Sequence, residues 1–132
     1  MRAGSQHMQD HAIIITGAAG GLGQAIVREC MKVFPGKQII ATDIGPGVKT
    51  QFDGNVRGMV MDVSDESSII AVKHTLESMG IRVWALVNNA GITRDSSMKK
   101  MTEDQWNQVI GVNLTGVYHC TKAVSPYMLD QG

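Results

Sequence analysis

The chain has 132 residues, 12 Lys plus Arg against 12 Asp plus Glu, and 43% apolar side chains; that is room for one domain with a buried core, and the even charge leaves no electrostatic footprint for nucleic acid or a membrane surface. Cys30 and Cys120 lack a C-x-x-C or histidine partners, and His7, His11, His74 and His119 are scattered, which argues against a disulfide framework and against a metal site. No apolar run approaches the ~20 residues of a membrane span and no basic-then-apolar signal opens the chain, so a cytoplasmic protein acting on a small-molecule substrate is expected.

Residues 1–11 read as a vector-derived or disordered lead, with Met8 as a natural start, and the domain is expected over 12–132. The apolar run Ala12-Ile13-Ile14-Ile15 predicts a strand, and Thr16 to Gly23 reads T-G-A-A-G-G-L-G. Without a Cβ, Gly17, Gly21 and Gly23 are free to adopt positive φ and let a diphosphate approach the backbone, where the first N–H groups of the next helix point at an anion. The Lys-Ser/Thr pair of a P-loop is missing. Leu22, Ala25, Ile26, Cys30 and Val33 form an apolar stripe that predicts a helix, with Gln24, Arg28, Glu29 and Lys32 facing water, and Pro35-Gly36 ends it.

A second strand, Gln38 to Thr42, runs into Asp43, about twenty residues past Gly23, where a carboxylate can accept both hydroxyls of an adenosine ribose. Between Gly45 and Gly58 little periodicity remains, which predicts a connection holding a broken helical turn. Met59-Val60-Met61 is strand-like and ends in Asp62. Ser64 is the expected N-cap of a helix with Asp65 and Glu66 in its first turn and Ile69, Val72, Leu76 and Met79 on its inner face, up to Gly80. Val83 to Val87 is continuously apolar, as in a parallel strand covered on both faces, and leads into Asn88-Asn89-Ala90-Gly91. Thr102-x-x-Gln105 predicts a capping box. The long helix it opens carries Trp106, Val109, Ile110, Asn113, Val117, Cys120 and Val124 on one side, with bending or fraying expected at Gly111, Gly116 and Pro126.

Two right-handed crossovers would order the strands 3-2-1-4, leaving the fourth as an edge. Each polar signal has a plainer reading: Asp43 as a solvated loop acid, Asp62 as a dipole-neutralising cap, and Asn88-Asn89-Ala90-Gly91 as a tight turn. Together they place glycines and polar groups beyond the carboxyl ends of successive strands, where parallel sheets bind ligands.

In order and spacing, T-G-x-x-x-G-x-G, the acid after the second strand, Asp62-Val63, N-N-A-G and Val112-Asn113 resemble the amino-terminal half of a short-chain dehydrogenase/reductase. The runs from Asn89 to Asp95 and from Trp106 to Val117 look most like 3-oxoacyl-thioester reductases. The resemblance implies an α/β fold: a Rossmann-like parallel sheet with helices on both faces, here ending after the fourth strand and its long helix. It implies Gly17, Gly21, Leu22 and Gly23 beside a cofactor diphosphate, Asp43 on the adenosine ribose, Asp62 and Val63 at the adenine, and Asn89, Ala90 and Gly91 at the cofactor's middle. Asn113 would be the catalytic residue that holds a water in the proton relay.

A carboxylate at position 43 favours NAD(H) and repels the 2′-phosphate of NADP(H). Tyr118 and Lys122 form a Y-x-x-x-K pattern five residues after Asn113, but in the family the working pair lies roughly forty residues later on another helix, so Tyr118 is given no catalytic role. The Ser, Tyr and Lys of such a site are expected beyond Gly132, and the chain itself is expected to be inactive, its parent interconverting 3-oxoacyl and 3-hydroxyacyl thioesters or related ketones and alcohols. The alternative is a stand-alone nucleotide-binding or interaction module. The bare fourth strand and the apolar helix face from Asn113 to Met128 predict a homo-oligomer.

Overall fold

The computed structural model describes residues 11–91 and 100–130. The proposed lead, apart from His11, and residues 92–95 of the run beginning at Asn89 lie outside them. Four strands, β1 (His11–Ile15), β2 (Gln38–Asp43), β3 (Val56–Val60) and β4 (Arg82–Val87), form one sheet in the order β3-β2-β1-β4. Every pairing is parallel. The sheet starts at His11, opposite Arg82, one residue before the expected boundary. β3 also starts earlier than expected, at Val56, inside the stretch read as a connection; Met61 lies just past its end, its N–H donating to the Asp43 carbonyl at 2.9 Å.

Strand alternation sends β1 side chains to two separate cores. Ile13 and Ile15 join Val27, Ile39, Ala41 and Val48 on the face covered by α1 (Gly21–Val33) and the short α2 (Val48–Gln51). Ala12 and Ile14 join Ile69, Val72, Leu76, Cys120 and Val124 on the face covered by α3 (Glu66–Ser78) and α5 (Gly116–Asp130). Both faces are therefore covered, as the α/β reading requires. β4 is one edge strand and β3 the other, and Trp84, at a register shift between β1 and β4, is partly exposed.

Local differences from the sequence reading have local causes. The inner face of α1 is Gly23 and Val27, flanked by half-buried Ile26, Cys30 and Phe34, whereas Leu22, Ala25 and Val33 are exposed. Gly23 packs so tightly on the preceding turn that it sets the rotation of the helix. Asp65, not Ser64, caps α3 by accepting from the Ser67 N–H at 3.0 Å, because Asp62 draws Ser64 away with bonds from its N–H and hydroxyl at 2.9 and 2.6 Å. α3 stops at Ser78, with Gly80 at φ +73°, so Met79 caps the helix from an exposed position.

The helix predicted from Thr102 onward does open on a capping box, Thr102 and Gln105 exchanging bonds of 3.1 and 3.0 Å. It is not one continuous stripe: α4 (Glu103–Ile110) passes into a π-helical turn over Gly111–Thr115 before α5. The wider turn shifts the phase of the face, so Cys120 and Val124 are buried while Trp106 and Asn113 are exposed. Gly116, expected to bend or fray, lies against Val63; a Cβ there would come within 2.7 Å of the Val63 carbonyl oxygen. Pro126 sits inside α5 without ending it.

Candidate active-site cleft

β1 delivers the chain into the glycine-rich turn at Gly17, which has φ +65°, a conformation that side chains with a Cβ rarely adopt. Gly21 and Gly23, expected to share this freedom, do not have positive φ. Their reasons for being glycine differ. A Cβ on Gly23 would sit 2.1 Å from the Gly17 carbonyl oxygen, whereas one on Gly21 would meet nothing within 4 Å. Gly23 is thus needed for packing, and Gly21 faces open space.

The N-cap of α1 is Gly20, which offers no side-chain acceptor, and no acidic residue stands in the first turn. The positive end of the helix is left for an anion from outside the chain.

Across from this turn stands Asp43. Its Oδ2 accepts from the Ala19 N–H at 2.9 Å and its Oδ1 from the Ile44 N–H at 2.8 Å, which fixes the plane of the carboxylate. A carboxylate has about four lone-pair sites, so each oxygen retains capacity to accept from a diol. Asp62 likewise has a structural duty, capping the turn at Ser64. It does not cap α3, whose N-cap is Asp65, and it also lines the cleft.

Thr16 is the residue whose part the sequence did not signal. Its buried Oγ1 accepts from the N–H groups of Asn89 and Ala90 at 3.0 and 2.9 Å, and Asn89 Nδ2 donates back to the Gly17 carbonyl at 3.1 Å. Asn88-Asn89-Ala90-Gly91 is thereby tied to the glycine-rich turn. The contact is close enough that a Cβ on Gly17 would lie 2.8 Å from the Ala90 Cα.

These loops enclose a cleft of about 430 Å³ at the carboxyl ends of the strands. All ten residues proposed for the cofactor line it: Gly17, Gly21, Leu22, Gly23, Asp43, Asp62, Val63, Asn89, Ala90 and Gly91. The sequence reading missed Gly20, Ile44 and Met61 and assigned no wall role to Val112. Leu22 is 69% exposed, which fits a wall of the cleft and not the core stripe where periodicity placed it. Asn113 stands at the margin, its Oδ1 3.4 Å from where a Cβ of Gly91 would be. Tyr118 and Lys122 are absent from the lining; both side chains are exposed on α5, with the Lys122 ammonium 5.8 Å from the Tyr118 ring centroid.

The short chain dehydrogenase family profile matches residues 11–132. The chain belongs to this family. Among curated relatives, the 3-oxoacyl-[acyl-carrier-protein] reductase of Thermotoga maritima is 37% identical over 94% of this chain and 52% of its own length. The corresponding Vibrio harveyi reductase is 34% identical over 95% of this chain and 52% of its own, and the acetoacetyl-CoA reductase of an Acinetobacter strain is 38% identical over 89% and 50%. This short chain dehydrogenase chain spans about half the length of those relatives. Solved structures agree on the fold: Thermoplasma acidophilum aldohexose dehydrogenase superimposes with a TM-score of 0.80 at 28% identity, covering 93% of this chain and 46% of its own. Escherichia coli serine dehydrogenase gives 0.79 at 26%, over 91% and 56%. No helix among the described residues is long and apolar enough to cross a membrane.

Proposed function

We propose that the cleft holds NAD(H), and that a protein of the relatives' full length carrying this half interconverts a 3-oxoacyl thioester, or a related ketone, with its alcohol. One observation carries the reading: the uncapped, side-chain-free start of α1 and the fixed Asp43 carboxylate open into the same cleft. Gly21, with nothing within 4 Å of a notional Cβ, leaves the space that a diphosphate would fill. The N–H groups of the first turn of α1 would hold it. Asp43 would accept the adenosine ribose hydroxyls, Asp62 and Val63 would flank the adenine, and Asn89, Ala90 and Gly91 would lie beside the central part.

Bound there, the nicotinamide supplies or accepts the hydride. The chain's share is to orient it, and, through Asn113 at the margin, to hold a water that passes a proton. The thioester substrate is supported by the reductases named above. A homo-oligomer is supported by the edge position of β4 and by exposed Leu114 and Tyr118; size exclusion at low micromolar concentration tests it, with a compact monomer contradicting it.

Calorimetric titration with NAD and NADP tests the cofactor reading. A negative charge at Asp43 predicts NAD bound about tenfold or more tightly than NADP, with Asp43→Asn narrowing the gap. Equal or tighter binding of NADP by the unmodified chain overturns the choice of NAD.

A further inference from the structure

Gln24 was expected to face water, yet its side chain turns back onto the glycine-rich turn. Its Nε2 donates to the Ala19 carbonyl at 2.8 Å, and Gln51 Nε2, at the end of α2 and 32 residues away in sequence, donates to the same oxygen at 3.3 Å. The N–H of Ala19 is held separately, by Asp43 Oδ2. Ala19 is thus anchored at both of its peptide groups. Neither Ala19 nor either glutamine lines the cleft, so the carbonyl that the two amides grip faces away from it.

That oxygen belongs to the Ala19–Gly20 peptide, which directly precedes α1. A peptide followed by glycine reverses at little steric cost, because glycine tolerates φ of either sign. Reversed, its carbonyl would turn toward the place where the first-turn N–H groups meet an anion, and its partial negative charge would oppose a diphosphate. Two amide donors on one carbonyl occupy both of its lone pairs and oppose the reversal.

The placement of Gln51 depends on close packing elsewhere. Val48 is buried, and its carbonyl oxygen would lie 1.8 Å from a Cβ on Gly58, so only glycine lets α2 sit this close to β3.

We infer that Gln24 and Gln51 are positioning residues that lock the Ala19–Gly20 peptide with its carbonyl away from the cleft, keeping the start of α1 receptive to the diphosphate of a dinucleotide. The inference rests on the dinucleotide reading of the cleft. It concerns the diphosphate and not the adenosine end, because Asp43 retains a second anchor in the Ile44 N–H.

The test is the double variant Gln24→Met/Gln51→Met, which keeps side-chain length and removes both donors. NAD, ADP-ribose and adenosine are titrated, and amide hydrogen exchange at Ala19 and Gly20 is followed by NMR in the ligand-free chain. With two hydrogen bonds lost, affinity for NAD and ADP-ribose is expected to fall about tenfold, while adenosine affinity changes less than about twofold. Exchange at Ala19 and Gly20 is expected to accelerate, with cooperative thermal unfolding retained. Unaltered ADP-ribose affinity, or an equal loss for adenosine, overturns the locking role, the latter marking a general loosening. Failure of the unmodified chain to bind any dinucleotide removes the reading of the cleft, and the inference with it. Failure of the variant to differ from a binding parent removes the inference alone.

Discussion

The two ends of the same four strands are built in opposite ways. At the amino end of β2 and β4, Phe34 meets Trp84 edge-on with ring centroids 5.2 Å apart, and the Lys37 ammonium lies 4.3 Å from the Trp84 ring centroid. Beside them Asn55 donates to the Lys37 carbonyl at 2.8 Å. Large side chains and a cation–π contact fill the space there. At the carboxyl end, glycines withhold side chains and the polar groups bond to backbone at the rim: Thr16 to Asn89 and Ala90, Asp43 to Ala19 and Ile44, and Asp62 to Ser64. The contrast is between aromatic packing beside the amino ends of β2 and β4 and glycine-lined space at the carboxyl ends. The placement of glycine gives the cleft its width, and hydrogen bonds at the rim hold its walls.

The largest expected effect comes from breaking the withheld side chains. Gly23→Ala forces a methyl to 2.1 Å from the Gly17 carbonyl oxygen, so overpacking should cost about 3 kcal/mol, read as a lowered midpoint in urea. Gly21→Ala sharpens the point from the other side. With nothing near its added methyl, it should leave stability within about 0.5 kcal/mol of the parent and still weaken NAD binding, by occupying space meant for ligand. If both substitutions destabilised equally, the distinction between packing glycine and cleft glycine would fail.

Next is Thr16→Val, nearly isosteric, which strands the Ala90 N–H and leaves the Asn89 N–H only its bond to the Val87 carbonyl. Leaving a partly buried donor unsatisfied should cost about 2 kcal/mol by denaturant unfolding. Nearer the periphery, Thr102→Ala removes one half of the capping box, and a loss of about 1 kcal/mol is expected.

The smallest effect lies outside both ends, where Tyr127 of α5 donates its hydroxyl to the Glu77 carboxylate of α3. Partial burial, together with that carboxylate, pushes the phenol up to about 12 from an ordinary value of 10.0. Because the folded chain holds this proton more tightly than the unfolded one, the contribution is complete below pH 10 and is lost as pH rises toward 12. Tyr127→Phe should therefore lower the thermal midpoint slightly at neutral pH and flatten its alkaline fall, the two chains converging as pH approaches 12.

Much of this was legible in the sequence, for physical reasons. Parallel strands buried on both faces read as unbroken apolar runs, and β1, β2 and β4 could be found with little error. Glycines before a helix and an acid after the next strand mark a cleft because few other arrangements need them together. The turns of the helices were less legible. In α1 the inner face is set by Gly23, which carries no hydrophobic signal; around Asn113 a π-helical turn breaks the 3.6-residue period on which the stripe was counted. The capping of α3 was decided by Asp62 competing for Ser64. The bond from Gln51 to Ala19 depends on Gly58 admitting α2 against β3, a contact that no local pattern encodes.

The most direct measurement is an NMR titration of the chain with NAD, following backbone amides across the sheet. The account predicts saturable shifts at Gly17, Gly20, Gly21, Gly23, Asp43, Asn89 and Gly91, with Lys37, Trp84 and Asn55 at the amino end unmoved. Shifts concentrated at the amino end, or no saturable response around the glycine-rich turn, would contradict it.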